Sequence, residues 1–264
     1  MTEPTPQRPQ LAQTIAGTLG FNRLPSSDAL AGTTLALTLE NGGKATIAFG
    51  GDNSCIWSGL PGFTAASGHA ATDVVEAAPG VYFIDLLLSP DAPETVNVIA
   101  DTVTRHVLIV GTCMNPPVER DTRLSQLFTP ATIDGGVASG GAPAPTRDLV
   151  NHRALYHYSP ETTYEHIYIN TKWYAYQCIK GARRGDCGCD PVSYYKIRDD
   201  LYVVTWREIL IDIAVVFVYD MKAMRTTGKA WGLLGAPPQM RNAPAGAFIE
   251  LLQGANYPAE VELV

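Results

Sequence analysis

The sequence predicts a mainly β protein that consists of two antiparallel β-barrels in tandem, with a few short helices. Many short segments alternate apolar and polar residues, and tight-turn residues separate them. Few segments show the 3.6-residue period of a long helix. A stretch rich in glycine and proline, within residues 135–148, divides the strand-forming segments into two sets, each about as long as a small barrel.

These observations set the predicted domain boundaries. Residues 1–24 are predicted to form an N-terminal tail with a short helix, and residues 25–134 the first barrel. Residues 135–148 are predicted to be a linker of the kind that joins domains. Residues 149–264 are predicted to form the second barrel.

Alternating segments in the first region predict its strands in order. Thr33–Leu39 alternates apolar and polar residues, Glu40–Gly43 has the residues of a hairpin turn, and Ala45–Phe49 returns as the next strand. Further strands are predicted at Val81–Leu88, Glu94–Ala100 and His106–Gly111. Short strands with tight turns between them favour an antiparallel barrel.

The second region repeats features of the first. Tyr82 and Tyr202 each follow a turn and one apolar residue, and Arg105 and Arg225 lie at the same separation along the chain. The repetition predicts a duplicated β unit.

Charge and composition exclude several classes of partner. The formal net charge is −7, without a run of Lys or Arg, so neither nucleic acid nor a membrane surface is an expected partner. The N-terminal residues lack the pattern of a signal peptide, and no apolar run approaches the roughly 20 residues that cross a bilayer. We therefore expect a cytoplasmic protein.

Five cysteines, an odd number without an export signal, are expected to be reduced. Cys187-Gly188-Cys189-Asp190 is predicted to be a polar loop. A structural zinc site would need four ligands, and the chain offers no second pair at a suitable spacing. We therefore predict neither a metal nor a cofactor.

Candidate functional residues follow from strand periodicity in the second region. Side chains two apart in a strand share a face, so Tyr156 points with Tyr158, and Trp206 with Glu208. This places a carboxyl group at the end of an apolar face, where burial would raise its pKa into a range useful for proton transfer. The matching residues of the first region, Leu86–Leu88, are apolar, so the second barrel is expected to carry the function.

Across nearly its whole length the chain resembles the MoaF family. The resemblance is most specific at Tyr156–Pro160, Tyr164–Asn170, Tyr202–Glu208 and Met224–Gly228. The family's usual label is molybdenum cofactor biosynthesis protein F, and the same name is used in monoamine-induced operons. This resemblance implies an accessory role in a cofactor or monoamine pathway.

The C-terminal half also resembles bacterial phenolic acid decarboxylases, which are small lipocalin-like barrels. Those enzymes share a Tyr-x-Tyr, a Tyr-Glu and a Trp-x-Glu at similar spacing. The resemblance implies two lipocalin-like (calycin-like) barrels, a tyrosine pair that grips the substrate, and a glutamate that acts with an arginine. Arg184 is expected to assist catalysis and Arg183 to bind substrate, although the spacing leaves open which of the two serves the site.

The predicted function is that of a cofactor-independent lyase or isomerase acting on a small aromatic or unsaturated metabolite. The predicted catalytic residues are Glu208, Tyr156, Tyr158 and Arg184, and the predicted substrate-binding residues are Arg183, Tyr164, His166, Tyr176 and Trp206. Two alternative functions stay open: a lipocalin-like carrier of a small hydrophobic or aromatic ligand, and an accessory protein. The role of Glu208 is also open, because it could form a structural salt bridge instead. A homodimer is also left open.

Overall fold

The computed structural model describes residues 19–88, 92–119, 121–234, 238–254 and 257. These residues form two closed antiparallel barrels in tandem, which confirms the predicted fold class. The described part of the chain contains no helix, and most of the predicted N-terminal helical segment lies in residues 1–18, outside the described residues. A search of the described residues for a helix long and apolar enough to cross a membrane finds none.

The first barrel has eight strands, each paired with its neighbours in sequence and closed by pairing of the first with the last. Alternation places Leu35, Leu37 and Leu39 inside the barrel and the residues between them outside. The strands are β1 Thr34–Leu39, β2 Lys44–Phe49, β3 Ser54–Ser58, β4 Ser67–Ala78, β5 Val81–Leu87, β6 Glu94–Asp101, β7 His106–Met114 and β8 Leu124–Ile133.

The second barrel also has eight strands in sequential order, and β10 pairs with β17 to complete it. The short strand β9, Ala144–Pro145, pairs with β13, so the segment predicted to be a linker adds a strand to this sheet. The strands of the barrel are β10 Arg153–Ser159, β11 Thr162–Tyr168, β12 Trp173–Lys180, β13 Cys187–Arg198, β14 Leu201–Arg207, β15 Ile213–Asp220, β16 Arg225–Leu234 and β17 Gln239–Leu252.

One local prediction is wrong. The segment Cys187–Asp190 is the start of β13 and not a loop, because it pairs in register with β12. Gly188 lies opposite Tyr176, and a Cβ atom there would lie 2.9 Å from the Tyr176 hydroxyl oxygen. Gly188, one of the residues that suggested a loop, therefore makes room for the Tyr176 ring.

The two barrels pack against each other through outer strand faces. Val81, Phe83 and Leu108 of the first barrel belong to one buried cluster with residues of the second barrel, among them Val203 and Val218. The rings of Phe128 and Tyr195 stack across this interface with centroids 4.5 Å apart. Strands buried on both faces read as continuous apolar runs, which accounts for the sequences of β5, β7, β14 and β15.

A buried polar cluster lies in the same interface. The Lys229 ammonium of the second barrel forms an ion pair with Asp85 of the first, and both side chains are only 2% exposed. Lys229 also donates to the Thr95 hydroxyl at 2.7 Å, and the Asn97 amide donates to Asp85 at 3.0 Å. Burial lowers the pKa of Lys229, and the adjacent Asp85 opposes that effect.

Each barrel contains a turn of the same type, and the geometry of these turns corrects one of the sequence matches between the two regions. Asp101 accepts hydrogen bonds from two backbone N–H groups in the turn after β6, and Asp220 does the same in the turn after β15. The left-handed position of these turns is Arg105, with φ of 66°, and Met224, with φ of 52°. Arg105 therefore corresponds to Met224 in the structure and not to Arg225.

Candidate functional site

The second barrel encloses a cavity of about 410 Å³, large enough for a small organic molecule. It lies among the inward side chains of β10 to β16, the segment between β12 and β13, and the segment after β14. The polar and aromatic residues on its wall are Tyr158, Tyr164, His166, Tyr174, Tyr176, Arg183, Asp186, Cys187, Trp206, Phe217 and Glu208.

Glu208 follows β14 directly and continues its inward face after Val204 and Trp206. Its backbone N–H donates to the Ile213 carbonyl at 2.9 Å, which fixes the chain where it leaves the strand. Burial raises the pKa of Glu208 to about 8, with a further rise from Asp190. Hydrogen bonding from Trp206 and the positive charge of Arg183 oppose the shift. The site therefore holds a carboxyl group that keeps its proton at neutral pH.

Asp190 is a second carboxyl group at this site, and the sequence analysis missed it. It is 3% exposed, and one of its oxygens accepts the Ile209 N–H at 2.9 Å, next to Glu208. Burial raises its pKa to about 6. The inward series of Asp190, Val192 and Tyr194 at two-residue spacing was the available signal, and the assignment of this segment to a loop concealed it.

The predicted tyrosine pair is divided between two layers of the barrel. Tyr158 lines the cavity, and burial raises the pKa of its hydroxyl well above the usual value. Tyr156 lies below, outside the cavity wall, where its hydroxyl is 2.7 Å from that of Tyr168. Tyr168 in turn donates to the Tyr219 hydroxyl at 2.9 Å. Tyr156 is thus part of a buried chain of phenols beneath the cavity.

His166 connects the two layers. It lines the cavity, and its ring lies 4.3 Å from that of Tyr156 and 5.3 Å from that of Trp206, measured between centroids. Burial lowers its pKa to about 3, so the imidazole is neutral at physiological pH. A neutral imidazole can donate or accept a hydrogen bond but adds no charge to the cavity.

The structure distinguishes the two candidate arginines. Arg183 lines the cavity and forms an ion pair with Asp186, which also lines it. Arg184 is exposed and is absent from the cavity wall. Of the residues predicted from the sequence, the cavity thus brings together Arg183, Tyr158, Tyr164, His166, Tyr176, Trp206 and Glu208, and it leaves out Tyr156 and Arg184.

Among the residues that the structure describes, the cysteines and their neighbours form no metal centre. Cys187 lies on the cavity wall, and Cys178 is buried, where burial raises the pKa of its thiol. Within the described ranges, no group of three or more His, Cys, Asp or Glu side chains is placed to hold a metal ion.

The fold and the site together define a tandem β-barrel protein with a polar, aromatic cavity in its second barrel. Comparison with known proteins identifies the family. Residues 9–115 match the model of the MoaF N-terminal domain, and residues 143–255 match that of the MoaF C-terminal domain. The chain belongs to the MoaF family, as the sequence resemblance predicted.

One curated relative supports the same assignment. Protein MoaF of Klebsiella aerogenes is 30% identical over 187 residues, an alignment that covers 66% of this chain and 71% of that protein. Among solved structures, a putative beta-lactamase from Burkholderia vietnamiensis aligns with 41% of this chain and with all of its own chain. The sequence identity is 13% and the TM-score 0.35, which is too low to support any inference about function.

Proposed function

We propose that the second barrel is a lyase or isomerase that uses acid–base chemistry, without a bound cofactor, on a small aromatic or unsaturated metabolite. The observation that carries the proposal is the position of Glu208 on the wall of a cavity, with its pKa raised to about 8. A general acid works best when its pKa lies near the working pH.

The two carboxyl groups have separate roles in this proposal. Glu208 keeps its proton at pH 7, whereas Asp190, with a pKa of about 6, is mostly ionised. Neighbouring carboxyls whose surroundings push their pKa values apart form a typical acid and base assignment. Glu208 is the group that delivers the proton to substrate, and Asp190 is a positioning residue that acts through Glu208 and the Ile209 backbone.

The remaining wall residues would orient the substrate. The hydroxyls of Tyr158, Tyr164 and Tyr176 offer hydrogen bonds to polar atoms of a ligand, and Trp206 and Phe217 offer flat apolar surfaces. Because burial raises the pKa of these phenols, they stay protonated at physiological pH and can donate. The spacing shared with phenolic acid decarboxylases is consistent with these roles.

A carrier function is the second candidate, and one observation favours it. Much of the cavity wall is aliphatic, as expected for a site that only sequesters an apolar molecule. These aliphatic residues are Leu19, Leu210, Ile211, Ile213, Val215 and Ala230. A carrier would bind its ligand without turnover, and its binding would tolerate the replacement Glu208→Gln.

The test compares the wild type with Glu208→Gln and with Glu250→Gln, an exposed glutamate of the same barrel that lies away from the cavity. Each protein is incubated with hydroxycinnamates and with aryl-substituted hydroxy acids, aldehydes and amines, and substrate loss is followed by mass spectrometry. We expect Glu208→Gln to reduce turnover by roughly 100-fold or more and Glu250→Gln to leave it unchanged. Ligand retention without consumption by any of the three proteins would replace the enzyme with the carrier.

A further inference from the structure

Six aromatic side chains form a closed ring around the cavity, which we call the aromatic collar. Each ring contacts the next, and the last contacts the first, with centroid separations from 5.4 to 6.5 Å. The order around the barrel is Tyr158, Tyr164, Tyr176, Tyr174, Trp206 and Phe217. All six residues line the cavity, so a bound molecule would be surrounded by π faces and edges.

The charged groups at the collar are mostly acidic. Glu208 and Asp186 lie on the cavity wall, and Asp190 lies close enough to raise the pKa of Glu208. The one cation on the described wall, Arg183, already pairs with Asp186. One carboxylate oxygen of the buried Asp190 also has no hydrogen-bond partner among the described residues. The cavity therefore has unbalanced negative charge when its carboxyls ionise.

We infer that the aromatic collar and Glu208 form a binding site for an organic ammonium ion. The inference rests on the proposed function, because the ammonium would be the charged group of that function's substrate. A cation over aromatic faces is attracted by the ring quadrupoles, and the attraction strengthens when water is excluded. At neutral pH the nearby Asp190 is the ionised carboxyl group, and Glu208 becomes a second carboxylate beside the same cavity above its pKa of about 8. An anionic ligand would instead face the acidic groups while Arg183 is engaged with Asp186.

A binding test needs a pH at which Glu208 is ionised. The titratable groups around the cavity are Asp190 on β13, Arg183 and Asp186 between β12 and β13, His166 on β11, Cys187 on β13, and the collar tyrosines. His166 is neutral throughout the range of interest, and burial keeps the collar phenols protonated. At pH 9, Glu208 and Asp190 are both anionic.

Three probes with the same aryl group but different charge test the inference in the full chain. Binding of benzyltrimethylammonium, benzyl alcohol and benzoate is measured by isothermal titration calorimetry at pH 9. We expect the cation to bind roughly tenfold or more tightly than the neutral alcohol, and benzoate to bind most weakly. Equal affinity for cation and alcohol, tighter binding of benzoate, or no binding of any probe would each overturn the inference.

Two variants assign the preference to the proposed groups. Glu208→Gln should reduce the preference for the cation over the alcohol by roughly tenfold, and Tyr176→Leu should weaken cation binding while alcohol binding changes less. Glu250→Gln, outside the cavity, should leave both affinities unchanged. Circular dichroism of each variant verifies the fold. A Glu208→Gln protein that keeps its cation preference would contradict the site.

This experiment separates the inference from the proposed function. The probes are unreactive, so their binding depends only on the charge preference of the cavity. Turnover of a neutral or anionic compound, with no cation preference, would leave the enzyme proposal standing and remove the ammonium site. Cation preference without turnover of any compound would leave the ammonium site and favour a carrier.

Discussion

The first barrel closes around apolar side chains, whereas the second closes around tyrosines and a carboxyl group. Leu37, Ile47 and Ile84 fill the first interior and are fully buried. The second interior has hydroxyl groups in both of its layers, from Tyr158 at the cavity to Tyr219 beneath it. The two barrels have the same strand arrangement, with eight sequential strands and the same turn after the sixth strand of each barrel.

The same eight-strand barrel thus serves two purposes in one chain. An apolar interior packs densely and stabilises the fold, but it offers no group that can exchange a proton. Polar groups inside the second barrel need partners, and the hydrogen-bonded phenol chain supplies them below the cavity. Glu208, unlike the phenols, has its pKa shifted into the physiological range. The first barrel can then act as a stable support for the second.

The largest effect is expected where the barrels meet. Lys229→Ala would leave Asp85 buried without its cation, and we expect it to lower the free energy of unfolding by about 3–5 kcal/mol. Chemical denaturation followed by circular dichroism measures the change. Lys222→Ala, at an exposed turn position of the same barrel, should change the stability little. The double replacement Asp85→Leu with Lys229→Met should recover much of the loss, and equal destabilisation by Lys222→Ala would contradict a special role for this cluster.

The second effect is a pH dependence of stability, which is expected from Glu208 in the interior of the second barrel. The pKa of Glu208 is raised from 4.5 to about 8, so between these values the folded protein holds a proton that the unfolded chain has released. Stability should therefore fall as pH rises through this window, by about 1.4 kcal/mol per pH unit from this residue. Denaturation curves of the wild type and Glu208→Gln at pH 5 and pH 9 isolate the contribution. A pH dependence that persists unchanged in the variant would show that Glu208 is not its source.

A smaller effect separates the two adjacent arginines. Arg183→Gln removes a charge from the cavity wall, whereas Arg184→Gln changes an exposed residue outside it. We expect the first variant to change ligand affinity by roughly tenfold and the second to change it by much less, because Arg183 is close enough to contact a ligand and Arg184 is not. Titration calorimetry with any ligand of the cavity provides the measurement. A larger effect of Arg184→Gln would restore the assignment made from the sequence.

The smallest effect concerns the two layers of tyrosines. Tyr156→Phe removes a hydroxyl that is bonded to Tyr168, and we expect a loss of about 1 kcal/mol of stability with turnover or ligand binding little altered. Tyr158→Phe changes the cavity wall and should act mainly on turnover or binding. Parallel denaturation and activity measurements compare the two variants. Loss of activity in Tyr156→Phe, with stability intact, would support the sequence prediction that Tyr156 is catalytic.

Much of the site was predictable because strand periodicity is a local property. Two-residue spacing placed Trp206 and Glu208 on one inward face, and both line the cavity. The same rule placed Tyr156 and Tyr158 on one face, but it gave no information about depth along the barrel axis. Asp190 was missed since cysteine and glycine beside it resemble a loop, and only pairing with β12 shows that it is in a strand.

The fold class, the division into two strand sets and the inward face of Glu208 can be predicted from sequence, because alternation and turn residues act over a few neighbouring positions. The three-dimensional structure is needed to show that the barrels pack through β5, β7, β14 and β15, and that Arg183 and not Arg184 reaches the cavity. It is also needed to show the contact of Asp190 with the segment after Glu208. These features depend on how distant strands curve and meet, and no local pattern records that.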